Sequence, residues 1–259
     1  MTAIAIIPAR YDSSRFPGKP LELIGGKPLI QHVFENTSTA KMISEVIVAT
    51  DDDRIYDKVL SFGGKAVITS SDHPSGTDRI AFVAKNLDCD IIVNVQGDEP
   101  LIRGEQIDDV VNLLSDKRAS MGTLIKRIDR SDEVFDPNVV KAVCDKEGFA
   151  LYFSRSTVPY YRDEFKDITV SQLGEGAQGL DLSGLNIFKH IGIYSYRRNV
   201  LLDLTKIPQS ELESAERLEQ LRALENGYRI KAKETVHETI GVDTPEDIER
   251  VEKWLNISS

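Results

Sequence analysis

Over the first 120 residues, short apolar runs bounded by Gly, Pro and Asp alternate with amphipathic stretches. Ala3–Ile7 is apolar and largely β-branched and stops at Pro8, the pattern of a strand buried on both faces of a parallel sheet. Pro28 opens a helical pattern to about Ala40, with proline at an early position where its missing N–H costs nothing. Further strands are predicted over Glu45–Thr50, Ala66–Thr69 and Asp90–Val95. Helices are predicted over Asp51–Phe62, ended by Gly63-Gly64, and over Thr77–Leu87 and Gly104–Leu114. This βαβα rhythm predicts an α/β fold on a doubly wound, mostly parallel sheet.

After residue 120 the rhythm changes. Met121–Ile128, Val139–Cys144 and Ala150–Phe153 read as strands without full crossover helices, a hairpin-like extension. The stretch 174–184 holds four glycines and reads as a mobile loop. Ile191–Tyr196 is a strand. A helix is predicted from Ser210, with Glu213 completing a capping box, to Asn226-Gly227. Glu238–Val242 reads as a last strand leading to Asp243, after which Thr244-Pro245-Glu246-Asp247 opens a terminal helix. The expectation is one domain over residues 1–259, with an extension at about 120–200.

Composition narrows the possible functions. A chain of 259 residues, 41% hydrophobic, can bury a full core. Its formal net charge of -10 makes it a poor candidate for wrapping a nucleic-acid backbone, because nothing obvious would replace released counterions. No uncharged apolar stretch approaches the roughly 20 residues of a membrane helix, and the N-terminus lacks a signal-peptide pattern. Cys89 and Cys144 suit neither a disulfide framework nor a zinc site, so a cytoplasmic protein without membrane or nucleic-acid partners is expected. Against this acidic background, residues 1–30 carry four basic side chains (Arg10, Arg15, Lys19, Lys27) and two acidic ones (Asp12, Glu22). A local basic loop suits a small anionic ligand, although chance variation in a short window gives the same count.

Four constellations carry candidate chemistry. The loop Pro8-Ala9-Arg10-Tyr11-Asp12-Ser13-Ser14-Arg15-Phe16-Pro17-Gly18-Lys19 follows the first strand, at the ligand-binding edge of such sheets. It matches neither the GxxxxGK[ST] nor the GxGxxG nucleotide motif and reads equally as a polar surface loop. Asp98 and Asp243 both follow β-branched runs, so both are expected at strand ends on one edge. Two hard carboxylates there suit Mg²⁺; each alone also reads as a turn or helix-cap residue. Ser75-Gly76-Thr77-Asp78-Arg79 is either a helix entry facing a ligand or plain capping. The fourth set is Arg155, His190, Tyr194, Glu219 and Gln220. On an unbroken helix from Ser210, Glu219 stands about 160° from Leu221 and faces a second surface or simply solvent. His190 alone reads as a satisfied structural histidine.

The ordered motifs IPARYDSSRFPGKPL, ATDDDRI, DHPSGTDRI, VNVQGDEPLI, ALYFSRSTVPYYRD, HIGIY, LEQLR and GVDTPEDIERV span residues 4 to 252. Together they closely resemble the 3-deoxy-manno-octulosonate cytidylyltransferases, or CMP-Kdo synthetases. Sialic-acid cytidylyltransferases and NDP-sugar pyrophosphorylases share only the idea of the first loop. The resemblance implies a nucleotide-diphospho-sugar transferase-like fold, with CTP and Kdo (3-deoxy-D-manno-octulosonate) as substrates and CMP-Kdo for lipopolysaccharide biosynthesis as product. By resemblance, Pro8, Ala9, Arg10, Ser13 and Lys19 cradle CTP, Arg10 and Lys19 lying on its phosphates. Ser75 and Arg79 lie against the nucleotide, and Gln96 sits at the nucleotide–sugar junction. Asp98 and Asp243 hold magnesium, and Arg155, His190, Tyr194, Glu219 and Gln220 line the Kdo pocket. Arg10, Lys19, Asp98 and Asp243 carry the transfer. The resemblance also implies a homodimer joined through the extension. Residues 166–188 are glycine-rich and match no family pattern, and the match resumes at His190. Another acidic sugar, 8-amino-Kdo or a sialic acid, is the alternative substrate.

Overall fold

The computed structural model describes residues 1–12, 16–166 and 181–257. In chain order the strands are β1 (Ala3–Ala9), β2 (Leu23–Ile24), β3 (Lys27–Pro28), β4 (Ile43–Thr50), β5 (Lys65–Ile68), β6 (Ile91–Asn94) and β7 (Met121–Arg127). They continue with β8 (Lys141–Cys144), β9 (Ala150–Ser154), β10 (Phe188–Arg197) and β11 (Ile230–Glu234). The helices are α1 (Leu29–Ser38), α2 (Asp53–Ser61), α3 (Gly76–Ala84), α4 (Gly104–Leu113) and α5 (Ser131–Phe135). After them come α6 (Arg162–Phe165), α7 (Arg198–Leu204), α8 (Glu211–Glu216), α9 (Gln220–Glu225) and α10 (Pro245–Ile257).

The main sheet runs β11-β7-β10-β6-β1-β4-β5. β1 pairs in parallel with β4 and β6, β4 with β5, and β11 with β7. Only β10 runs against its neighbours β6 and β7, so the sheet is mixed but mostly parallel, as expected. β1 lies at its centre, and Ala5, Ile6 and Ile7 are fully buried between two layers. On one face Ile30, Val33, Ile55, Val59, Ile107 and Val110 from α1, α2 and α4 cover the strands. On the other, Ile80, Val83, Leu201 and Leu221 from α3, α7 and α9 do so. The extension is the β8–β9 hairpin, joined to β10, with its own small core of Ile128, Val134, Phe165, Leu185 and Ile187. Much of the expected 174–184 glycine loop lies outside the described residues.

Two expectations are corrected. The last strand is not Glu238–Val242 but β11, which pairs in parallel with β7 and buries Ile230 and Ala232 while Lys231 and Lys233 point to the other face. Glu238–Val242 is coil, fastened by the Val242 N–H to the Asp98 carbonyl (2.9 Å). The helix from Ser210 is two helices. Arg217 turns left-handed (φ 52) after α8. That elbow allows Leu218 and Leu221 to enter the core while Glu213 meets Arg222. The capping box of Ser210 and Glu213 is present as read.

Candidate functional site

The carboxyl end of β1 is where the site assembles. A Cβ on Gly97 would stand 2.6 Å from the Pro8 carbonyl, and one on Gly76 would stand 3.5 Å from Pro8 Cγ. The turns carrying Asp98 and Ser75 are therefore pressed onto the end of β1, and position 97 has no room for a side chain. Arg10 continues from β1, and its guanidinium donates to the His73 carbonyl. The loop returns through Gly18, whose positive φ of 75 closes a turn with its N–H donating to the Tyr11 carbonyl (2.9 Å). A 3-10 turn over Lys19–Leu21 then aims Lys19 inward. Ser13 lies outside the described residues.

Lys19 Nζ donates to Asp98 Oδ2 at 2.8 Å and to Asp243 Oδ1 at 3.4 Å. Two carboxylates 145 residues apart in sequence thus meet one cation. They do not both end strands. Asp98 sits in the turn after β6, and Asp243 follows the coil held to Asp98 by the Val242 hydrogen bond. Asp247 Oδ2 accepts the Asp243 and Thr244 N–H groups at 3.0 Å each, fixing the entry to α10. Among the described residues no cluster of three or more His, Cys, Asp or Glu forms a metal cage. A cation here would take one or two protein oxygens and complete its shell elsewhere, which suits Mg²⁺.

The remaining nucleotide candidates divide. Ser75 caps α3, its Oγ accepting the Asp78 N–H (3.2 Å). Arg79 is fully buried, with Nη2 on Asp51 Oδ2 and Nη1 on Thr69 Oγ1, so it braces the ends of β4 and β5. Gln96 and Glu99 flank Asp98. An added Cβ on Gly192, at the irregular register of β10, would meet Glu99 Oε1 at 3.6 Å and Gln96 Cγ at 3.8 Å. Burial, with Asp98 adding to it, pushes the Glu99 carboxyl up to about 8. Sequence reasoning missed Glu99, although it stands inside the GDEPLI motif.

On one face of β10 the candidate sugar residues form a row. The His190 ring lies 5.1 Å from Phe153 and 5.2 Å from Tyr194, and Tyr194 lies 5.9 Å from Tyr196. Tyr194, Glu219 and Gln220 share a cavity of about 40 Å³ with Thr77, whose hydroxyl donates to Glu219 Oε2 at 2.5 Å. Thr77, read in the sequence only as part of the Ser75–Arg79 helix entry, is thereby placed against Glu219. His190 also lines a groove of about 720 Å³ together with Gly192, Asp243 and Asp247, so one depression runs from Asp243 to the start of the aromatic row. Lys189 ties its walls together, donating to Glu133 of α5 (2.9 Å) and to Glu238 (2.8 Å). Arg155 stands apart: its Nε donates to the Glu216 carbonyl (2.7 Å) and its Nη1 to the Pro137 carbonyl (2.9 Å).

A mostly parallel α/β sheet with lysine, arginine and paired carboxylates at the carboxyl end of its central strand defines a nucleotide-handling protein. The family described as Cytidylyltransferase matches residues 4–235, and the chain belongs to it. It is 53% identical over 252 residues to 3-deoxy-manno-octulosonate cytidylyltransferase of Geobacter sulfurreducens, covering 97% of this chain and 98% of that one. It is 50% identical to the protein of the same name from Thermodesulfovibrio yellowstonii, with both chains covered fully. A solved structure of CMP:2-keto-3-deoxy-manno-octonic acid synthetase complexed with CTP superposes with a TM-score of 0.88 at 41% identity, covering both chains completely. A cytidylyltransferase from Leptospira borgpetersenii (TM-score 0.63, 18% identity, covering 99% of this chain and 87% of that one) shares the fold.

Proposed function

We propose that this protein transfers CMP from CTP to the anomeric hydroxyl of Kdo, releasing pyrophosphate and forming CMP-Kdo for lipopolysaccharide biosynthesis. The observation that carries the reading is the meeting of Lys19 and Asp98 with Asp243, which itself lines the groove that reaches His190. The relatives named for this activity support it.

The anomeric hydroxyl oxygen forms a bond to the α-phosphorus as the bond from that phosphorus to the pyrophosphate oxygen breaks, and the hydroxyl proton leaves to solvent. Such transfer needs positioning and charge neutralisation more than a covalent intermediate. Pro8, Ala9 and Arg10 would border the triphosphate, with Arg10 and Lys19 offering charge-assisted hydrogen bonds to the departing oxygens. Asp98 and Asp243 would hold Mg²⁺, which supplies charge neutralisation for the triphosphate. Gln96 would meet the junction of nucleotide and sugar, and His190, Tyr194, Glu219 and Gln220 would hold the sugar acid. Ser75, Arg79 and Arg155 fit positioning roles, because their polar groups are engaged by Asp78, by Asp51 and Thr69, and by backbone carbonyls.

The reading includes a homodimer through the extension, where Leu151 and Tyr160 are 61% and 63% exposed. It places the enzyme in the cytoplasm, consistent with two free cysteines. No described helix is long and apolar enough to cross a membrane. The test is pyrophosphate release from CTP plus Kdo, with and without Mg²⁺, beside 8-amino-Kdo and a sialic acid. Release with Kdo that stops in EDTA supports the reading. Turnover only with another acid sugar overturns the substrate, and no release from CTP overturns the activity.

A further inference from the structure

Asp98 and Asp243 are held together by contacts that owe nothing to a bound ion. The Val242 N–H donates to the Asp98 carbonyl (2.9 Å), Asp247 fixes the Asp243 backbone, and Gly97 seats the Asp98 turn on β1. Two anions fixed side by side repel one another and attract any cation within reach. Lys19 already meets that demand. Its side chain is only 13% exposed, and its Nζ contacts an oxygen of each aspartate. The turn that carries it is fixed by Gly18 and by buried Pro20.

We propose that Lys19 is a placeholder cation, occupying the carboxylate pair until nucleotide arrives and so making divalent-ion loading depend on nucleotide. This rests on the proposed reading of the same site. In the nucleotide-free protein a divalent ion must compete with the Lys19 ammonium for the aspartate oxygens. A triphosphate beside Lys19 offers it other anionic oxygens and releases the carboxylates. Metal and nucleotide then each strengthen binding of the other, as thermodynamic linkage requires. A lone ion gains little, which keeps the pair from filling with adventitious metal between turnovers.

The experiment measures Mn²⁺ binding to the whole, nucleotide-free protein by loss of the free-ion electron paramagnetic resonance signal. Wild type is compared with Lys19→Met, Arg10→Met, Asp98→Asn and Lys19→Met/Asp98→Asn, each checked for an intact fold by circular dichroism. Lys19→Met is expected to bind Mn²⁺ about tenfold or more tightly than wild type, within the usual range of site–site coupling. Asp98→Asn in the same chain is expected to remove the gain. CTP is expected to strengthen Mn²⁺ binding in wild type by a larger factor than in Lys19→Met. Unchanged or weaker Mn²⁺ binding by Lys19→Met overturns the proposal. So does an equal gain from Arg10→Met, which would show only general charge removal. Absence of CTP-dependent pyrophosphate release by wild type is a separate result, which overturns the functional reading itself.

Discussion

His190 is neutral in the folded protein. Burial pushes its pKa down to about 3, and its Nε2 lies 2.9 Å from Thr123 Oγ1. An unfolded histidine titrates near 6.5, so between these values the unfolded chain binds the extra proton and the fold does not. Stability is therefore highest above pH 6.5 and is lost as pH falls toward 3, with a slope approaching about 1.4 kcal/mol per unit for this one proton. Urea midpoints of wild type and His190→Gln are expected to converge as pH falls from 7 to 4.5; parallel curves would remove His190 as the cause. Under the proposed reading a neutral ring would meet the sugar acid as a hydrogen-bond partner and not as a cation. The residue types at the candidate site were legible in the chain, but their partners were not. Nothing near Arg79 in sequence announces Asp51 and Thr69, and nothing near Arg155 announces the Pro137 and Glu216 carbonyls.

The elbow between α8 and α9 shows what periodicity can and cannot tell. A period of 3.6 found the right residues for burial, Leu218 and Leu221, but it continued the helix through Arg217 because no glycine or proline marks the left-handed turn. Glu213 is what closes the elbow. It is 2% exposed, completes the Ser210 capping box, and accepts from Arg222 at 2.5 and 2.7 Å. Glu213→Ala leaves Arg222 without its carboxylate and is expected to cost about 3 kcal/mol. Because Glu219 and Gln220 stand between the two partners in sequence, it is also expected to raise KM for Kdo while leaving KM for CTP within about twofold. Glu213→Leu/Arg222→Met, which removes both charges, should recover stability in urea but not the sugar KM. Recovery of both would assign the pair to stability alone. The same limit explains β11. Its five residues, with Lys231 and Lys233 among them, drew no strand expectation, while β-branched Thr239, Ile240 and Val242 read as a strand although that segment is coil held by the Val242 N–H on the Asp98 carbonyl.

At the scale of the molecule, the βαβ order of the first 120 residues was legible because each buried strand is a continuous apolar run with a crossover helix behind it. The antiparallel insertion of β10 between β6 and β7 was not, because a long-range partner leaves no local pattern. The extension built on β10 and the β8–β9 hairpin underlies one expectation: sedimentation at micromolar protein should give about 58 kDa, twice the 28.9 kDa chain. A fully active species at the monomer mass would count against a dimer through this region. The whole fold is also what makes Asp98 and Asp243 a pair, since the turn after β6 and the coil before α10, far apart in sequence, meet through the Val242 N–H on the Asp98 carbonyl. Two carboxylates beside a triphosphate of about four negative charges would repel it by several kcal/mol at moderate dielectric, unless a divalent cation lay between. Asp98→Asn and Asp243→Asn should therefore each abolish pyrophosphate release. Their side chains are 34% and 48% exposed where they meet Lys19, so each substitution should cost less than about 1 kcal/mol of stability and leave Tm nearly unchanged. Ligands of one ion act as a unit, so the double variant should be no slower than either single one. Losses that add, or full turnover in EDTA, would give the two aspartates separate roles and leave Lys19 between them as an ordinary ion pair.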